Sequence, residues 1–343
     1  MKLEGARVAI TGGAGFIGSH LVDKLLEMEC QIRVIDDLSS GHLRNLPPLK
    51  DTRALTFIEG SVLDEKALRA AFRGCDVVFH LATRNVRMSL RTPTVVHDVN
   101  STGTLNALKA ATAARCKRFL YCSSSEVNGT ADIVPMPELY HYRPETIYGA
   151  SKLVGEYYTQ VFHRSGWLET VVARPHNNYG PREHYEGHLG EVIPRFILWA
   201  LAGRDLLIFG DGKQTRDFTY VTETADILTR LAADDRACGQ VFNVCKGEEV
   251  SVAEIARLVA SLTGSQSGVK HVAGRPSDVL RLFGDPSRLR ELLGTSPSIP
   301  IREGLAHTIE WFREHVPVNK KTLASLEPAN WRAGKAESWL PHG

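Results

Sequence analysis

Tyr148 and Lys152 stand four residues apart in the run YGASK, and on a helix that spacing puts both side chains on one face. A phenol beside an ammonium suits removal of a proton from an alcohol, because the positive charge favours phenolate and lowers the phenol pKa. The same ammonium can hold a ribose. Upstream, Ser123, Ser124 and Ser125 precede Glu126, and a hydroxyl from Ser124 would complete a three-residue hydrogen-bonded site. The spacing alone does not establish this chemistry; the surrounding elements must bring these groups to one place.

The first such element is the stretch from Arg7 to Glu27. Arg7 to Thr11 is a short run fit for a buried strand, and Phe16, Ile17, Leu21, Val22, Leu25 and Leu26 recur at helical spacing. Between them Gly12, Gly13 and Gly15 permit a sharp turn and let backbone N–H groups approach a pyrophosphate. Gly18 lets the helix pack close to the strand, and the helix N-terminus faces an anion. A second apolar run, Ile32 to Ile35, ends at Asp36, about twenty residues past the loop, where an acid binds ribose hydroxyls. Glycines alone leave open a βα turn of some other parallel α/β protein; with Asp36 they indicate a dinucleotide site. Asp36 would repel a 2′-phosphate, so NAD is expected rather than NADP, and Arg33 and Arg44 weaken that preference slightly.

The alternation continues. Strands are expected at 54–58, 76–81, 119–122 and 168–173, and helices at 64–72, 95–115 and 147–163. The serines therefore lie at the carboxyl end of a central strand, where open α/β sheets bind ligands. Beyond Arg174 the rhythm breaks. Strands are expected at 206–209, 218–221 and 241–244, and amphipathic helices at 252–262 and 302–315. The fold class is α/β: a Rossmann-type doubly wound parallel sheet with a smaller C-terminal α/β substrate domain. Residues 1–175, rejoined by about 213–245, form the NAD-binding domain; 176–212 and 246–315 form the substrate domain; 316–343 form an arm or tail.

Forty-one basic against 39 acidic side chains give a net charge of +2 in 343 residues, which removes the electrostatic argument for nucleic acid or an anionic membrane as partner. Six cysteines without a CxxC pair read as reduced thiols. No apolar run reaches spanning length and the N-terminus enters a strand at once, so a cytoplasmic location is expected.

Taken together, TGGAGFIG (11–18), DDLSSG (36–41), HLA (80–82), NSTGT (100–104), SSSE (123–126), YGASK (148–152), RPHNNYGP (174–181) and QTRDFTYV (214–221) resemble, in order, the extended short-chain dehydrogenase/reductases of the nucleotide-sugar epimerase and dehydratase family. The resemblance implies NAD bound as a recycled cofactor. Its holders would be Gly12, Gly15, Phe16, Ile17 and Gly18; Asp36, Asp37, Ser40 and Gly41; Leu81, Ala82 and Thr83; Asn100; and Tyr148 with Lys152. It further implies oxidation of a sugar C4 hydroxyl by Tyr148 with Ser124 assisting, a 4-keto intermediate, a nucleotide-diphosphate sugar as substrate, and a homodimer through the helices at 95–115 and 147–163. Asn177, Arg216 and Arg275 would hold the diphosphate, for which arginine offers a fork of charge-assisted donors; surface solvation is the alternative. Arg281 and Arg195 are lesser candidates.

Four departures from the family pattern bear on the reaction. Dehydratases carry an Asp-Glu pair after the catalytic hydroxyl, whereas here it is Ser125-Glu126. That leaves no carboxyl acid at 125, while Glu126 remains a base for C5 or a structural acid. Ser-Glu also resembles the nucleotide-sugar decarboxylases. Asn128 replaces a common Tyr, in the sugar pocket or in local packing. Ser61 replaces an Asp near the adenine, so Asp64 or the backbone at Val62 would take that role. Arg84 and Arg87 stand beside the expected sugar site, reading a carboxylate or hydroxyls, or simply solvated. His184, His188 and Glu191 have metal-like spacing, but Gly187 and Gly190 disfavour a rigid helix there, and hydride chemistry with NAD needs no metal. A C4 epimerase is the leading reading. A lyase using Glu126, either a dehydratase or a uronic acid decarboxylase, is the alternative, and a noncatalytic NAD-responsive binding protein is a third.

Overall fold

In the computed structural model, residues 1–49, 52–274 and 279–327 are described. The first half alternates β1 (Arg7–Thr11), α1 (Phe16–Glu27), β2 (Gln31–Asp36), β3 (Leu55–Glu59), α2 (Glu65–Phe72), β4 (Val77–His80), α3 (Val86–Ser89), α4 (Pro93–His97), α5 (Gly103–Ala113), β5 (Arg118–Cys122), α6 (Ile147–Arg164) and β6 (Glu169–Pro175). There follow β7 (Asn178–Tyr179), α7 (Val192–Leu201), β8 (Leu206–Phe209), β9 (Thr215–Arg216), β10 (Thr219–Tyr220), α8 (Val221–Ala233), β11 (Val241–Val244), β12 (Val250–Ser251), α9 (Val252–Thr263), β13 (Val269–Val272), β14 (Arg281–Leu282), α10 (Ser287–Leu293), α11 (Ile301–His315) and α12 (Lys320–Ala324).

Seven strands form one sheet in the order β3-β2-β1-β4-β5-β6-β11, every neighbouring pair parallel. Helices cover both faces: α1 and α8 share one apolar core, while α2, α5 and α6 share the other. The strand order reverses between β1 and β4, so the carboxyl ends of β2, β1, β4, β5 and β6 surround one crevice, the usual ligand position in such sheets. A third core joins α7, α9 and α11 to β8 and the short strands. Leu326 is buried in that core, and Gly187 donates its N–H to the Ser325 carbonyl. Trp331 and Trp339 lie outside the described residues.

Three elements differ from the sequence expectation. The helix expected over 95–115 is broken by a wide turn at Asp98–Thr102 between α4 and α5; such π-bulges re-aim side chains at functional sites, and this one buries Asn100. The strand expected at 218–221 is only Thr219–Tyr220, because Val221 opens α8. Helix α8 itself escaped notice: its polar first turn hides the buried stripe Val221, Ala225, Leu228, Leu231 and Ala232 that packs on α1. Among the described residues no helix is long and apolar enough to cross a membrane.

Candidate active site

The glycine loop is shaped by its neighbours. Gly12 has φ +73°, and a Cβ there would sit 2.7 Å from the Ala82 nitrogen; both the left-handed backbone and the contact exclude a side chain. A Cβ on Gly18 would lie 2.2 Å from the Gly12 carbonyl oxygen, so α1 approaches β1 closely only because that residue is bare. No side chain caps α1 at Gly15. Gly12, Gly15, Phe16, Ile17 and Gly18 line a cavity of about 390 Å³, leaving the first-turn N–H groups and the positive end of the helix for an anion.

Asp36, at the end of β2, is buried and lines the same cavity. Its carboxylate accepts from the Ala14 N–H (3.0 Å) and the Leu38 N–H (2.9 Å), and burial raises its pKa. Asp37, Ser40, Val62, Leu81, Ala82 and Thr83 line the cavity as well. Gly41 stands behind, where a Cβ would meet the Ala14 carbonyl carbon at 2.8 Å. The structure separates the two substitutes expected for Ser61. Val62 lines the cavity, whereas Asp64 turns away and caps α2, accepting from the Lys66 N–H (2.8 Å) and the Ala67 N–H (3.1 Å).

Asn100 acts from behind the cavity wall. Its Oδ1 accepts from the Arg84 N–H (2.8 Å) and the Thr83 hydroxyl (3.1 Å), and its Nδ2 donates to the Arg84 carbonyl (3.1 Å) and Ser151 Oγ (3.0 Å). One side chain thus ties the 83–84 loop to the helix that carries Tyr148 and Lys152. Sequence reasoning missed a second such network. Thr104 Oγ donates to the Asn100 carbonyl (2.6 Å) and therefore accepts from His80 Nε2–H (3.0 Å). That leaves His80 Nδ1 to accept from the Thr11 hydroxyl (2.7 Å), which in turn accepts the Ala82 N–H (3.2 Å). Burial keeps His80 neutral, with its pKa lowered to about 3, as this pattern requires. The signal was the His of HLA at a strand end.

The candidate catalytic groups come from the end of β5 and from α6. Thr146 caps α6, accepting the Gly149 N–H at 3.0 Å, and so orients the first turn containing Tyr148. The bare Gly155 lets α6 rest on the Tyr121 hydroxyl, 2.2 Å from where a Cβ would stand. Arg174 at the end of β6 clamps α6 through Glu156, with Nε to Oε1 and Nη2 to Oε2 both at 2.7 Å, and donates also to the Glu138 carbonyl (2.9 Å) and Tyr142 hydroxyl (3.0 Å). Ser124, Ser125, Glu126, Tyr148 and Lys152 all line the cavity. Ser124 Oγ accepts the Glu126 N–H (3.2 Å) and lies near enough to the Tyr148 phenol to bear on its pKa.

The expected lysine-driven fall in the phenol pKa is not what the structure displays. Burial dominates and raises Tyr148; the Ser124 hydroxyl works the other way, and the charges of Glu126 and Glu191 add to the rise. Lys152 Nζ instead donates to the Cys122 carbonyl (2.6 Å) and lies 4.6 Å above the Tyr121 ring, with its pKa lowered to about 8 by burial. The site is poised for proton transfer from a hydroxyl lying between Ser124 and Tyr148 once that phenol is ionised.

Asn177 and Arg216 also line the cavity. Asn177 Oδ1, Ser123 Oγ and His176 Nδ1 are buried without a partner in the protein, three groups that a polar ligand would satisfy. Arg216 Nη1 donates to the Thr215 carbonyl (2.8 Å). The other arginines are internally engaged. Arg84 pairs with Asp37 (2.7 Å) and bonds Ser39 Oγ. Arg87 is buried rather than solvated: it grips the Glu191 carboxylate and donates to the His188 and Leu189 carbonyls, both at 3.0 Å. Arg195 donates to the Glu191 (3.1 Å) and Glu327 (3.2 Å) carbonyls, and Arg281 forms a two-bond pair with Glu249, both at 2.7 Å. Arg275 lies outside the described residues. Asn128 is buried, its Nδ2 donating to the His141 carbonyl (3.5 Å), and it is not among the residues lining the cavity. Among the described residues no group of His, Cys, Asp and Glu is arranged to hold a metal ion.

Residues 8–245 match the model of the NAD dependent epimerase/dehydratase family. A UDP-glucose 4-epimerase of Mycolicibacterium smegmatis is 36% identical over 311 residues, 90% of this chain and 98% of that protein. A UDP-N-acetyl-alpha-D-glucosaminuronate decarboxylase of Bacillus cytotoxicus is 34% identical over 325 residues, again 90% and 98%. Among solved structures, the dTDP-glucose 4,6-dehydratase DesIV of Streptomyces venezuelae, with NAD and TYD bound, superposes with a TM-score of 0.86 at 30% identity, over 92% of this chain and 99% of that one. Three reactions are thus represented at similar distance from one site.

Proposed function

The chain belongs to the NAD-dependent epimerase/dehydratase family and takes NAD as its cofactor; on that premise we propose that it is a nucleotide-sugar epimerase that inverts C4 through a transient 4-keto intermediate. The observation that carries this reading is the assembly of Ser124, Tyr148 and Lys152 at the end of β5 with a hydroxyl, not a carboxyl, at position 125. NAD bound in the glycine cradle supplies a reversible hydride acceptor. Tyr148 takes the C4 hydroxyl proton, Ser124 orients that oxygen, and Lys152 anchors the ribose beside them. The three unpartnered polar atoms near Asn177, with Arg216 for the diphosphate, hold the remainder of the nucleotide sugar. The 4-ketosugar turns over before its carbonyl is reduced on the opposite face.

One observation favours a second reading. Glu126 lines the same cavity, and a base there would turn the 4-keto intermediate toward elimination or loss of carbon dioxide, making the protein a lyase. A homodimer is supported by Ile147, Tyr157 and Val161, which leave an exposed apolar stripe along α6. Incubation with UDP-, dTDP- and GDP-sugars, followed by product mass and proton NMR, separates the readings. Unchanged mass with inverted C4 is the expected result. A mass lower by water or by carbon dioxide would replace the epimerase with the lyase, and inertness toward every sugar would leave a noncatalytic NAD-responsive protein.

A further inference from the structure

Three arginines lie close enough in sequence or space to the end of β2 to bear on a ribose 2′-phosphate, and each is engaged elsewhere. Arg33 Nη1 reaches the Ala71 carbonyl (3.4 Å), on the outer side of the sheet. Arg44 lies beside the Tyr185 side chain, where its charge is felt by that phenol. Arg84 is different, because it lines the cavity together with Asp36, Asp37, Ser40, Ala82 and Thr83. Its charge is felt by Asp36 as well as by Asp37. A guanidinium in that place is the residue type that accommodates a 2′-phosphate. Here it is committed, with Nη2 donating to Asp37 Oδ2 at 2.7 Å and Nη1 to Ser39 Oγ.

Asp37 is built to hold it. Its Oδ1 accepts the Ser39 N–H at 3.1 Å and the Ser39 hydroxyl at 2.5 Å, which fixes the turn after β2 and leaves Oδ2 for the guanidinium. The backbone of Arg84 is pinned on both sides by Asn100, so only the side chain is free to re-aim. The pair is largely shielded, with side-chain exposures of 14% for Arg84 and 29% for Asp37. A 2′-phosphate entering here would meet the Asp36 carboxylate directly. It would gain the Arg84 guanidinium only by stripping it from Asp37, leaving a second carboxylate unpaired beside a dianion.

We propose that Asp37 is a second determinant of cofactor choice: by holding Arg84 it withholds the one cavity-lining cation at the end of β2, among the described residues, that would meet a 2′-phosphate, and so keeps the site selective for NAD beyond the repulsion from Asp36. The inference rests on NAD dependence and is independent of which sugar reaction follows.

The test reads bound cofactor. Purified full-length protein is incubated with an equimolar mixture of NAD and NADP, freed of unbound nucleotide and denatured, and the released cofactors are quantified by mass spectrometry. Wild type is expected to retain NAD. Asp36→Ser admits a little NADP, because the repulsion is gone but Arg84 is still held. Asp36→Ser with Asp37→Ser raises the bound NADP-to-NAD ratio by about tenfold more, the scale of a new charge-assisted contact, and adding Arg84→Ala returns the ratio to that of Asp36→Ser. The shape-conserving series Asp36→Asn, Asp36→Asn/Asp37→Asn and the same with Arg84→Ala should give the same ordering, and it decides the question if the serine variants do not fold. A double variant no different from the single one, or a gain that survives Arg84→Ala, would overturn the assignment.

Discussion

The glycine-loop side and the arginine side of the cavity are built from different materials. Around the glycine loop the work is done by backbone: a left-handed turn at Gly12, uncapped N–H groups at the start of α1, and two amide donors on Asp36. On the other side it falls to long side chains whose partners come from distant segments. Arg87 meets Glu191, and Arg195 meets the Glu327 carbonyl. A glycine's role is fixed by its own φ and its nearest neighbours, whereas an arginine's depends on what lies six bonds away. The first kind of function is local and the second is tertiary.

The sharpest way to break this contrast is to remove chemistry without touching either side. Tyr148→Phe keeps the ring on α6 and leaves the glycine loop, Asp36 and the arginine pairs as they are. Turnover should fall by about 10²–10⁴, while the NAD content of the purified protein stays near that of wild type. Near-normal turnover in that variant would mean that the base is not this phenol.

That division explains what the sequence disclosed. The seven-stranded sheet, the cofactor loop and the Ser124, Tyr148 and Lys152 constellation were legible because βα periodicity and short motifs encode them within a few residues. Helix α8 was not, since its buried stripe is interpretable only with α1 facing it. For Arg84 and Arg87 the sequence leaves two readings open, a sugar contact or a solvated charge. The sequence contains Asp37 and Glu191 but nothing to say that the folded chain brings them within reach, as it does over 47 and 104 positions. His80 was visible only as a motif letter. Its tautomer and its service to Ala82 follow from Thr11 and Thr104, which are far apart in the chain and adjacent in space.

Burial also separates two arginine pairs outside the cavity lining. Arg174, wholly buried with Glu156 at the end of β6, holds the helix that carries Tyr148. Arg174→Met should destabilise by about 3–5 kcal/mol, because an unpaired carboxylate is left in the interior. Chemical denaturation would measure it. Arg281, whose side chain is 47% exposed in its pair with Glu249, should tolerate Ala with no resolvable change in the same experiment. Similar losses for the two would mean that burial does not set the worth of these pairs.

Acid should weaken the protein through several histidines. Burial lowers His80 and His176 to about 3, and His20 and His184 to about 4, below the ordinary 6.5. The unfolded chain therefore takes up protons first, so the stability of neutral histidines is full above about pH 6.5 and is lost as pH falls toward 4, at up to about 1.4 kcal/mol per pH unit for each. Asp217 opposes this. Burial pushes it up to about 7, against three backbone N–H donors from Lys246, Gly247 and Gly284. A raised acid contributes stability that is full below its unfolded value and lost as pH rises through 7, so on acidification Asp217 offsets part of the histidine loss. Asp217→Asn removes that offset, and its stability should fall more steeply than wild type between pH 7 and 4. Parallel profiles would show instead that those three donors keep Asp217 ionised, a carboxylate placed by backbone amides as Asp36 is.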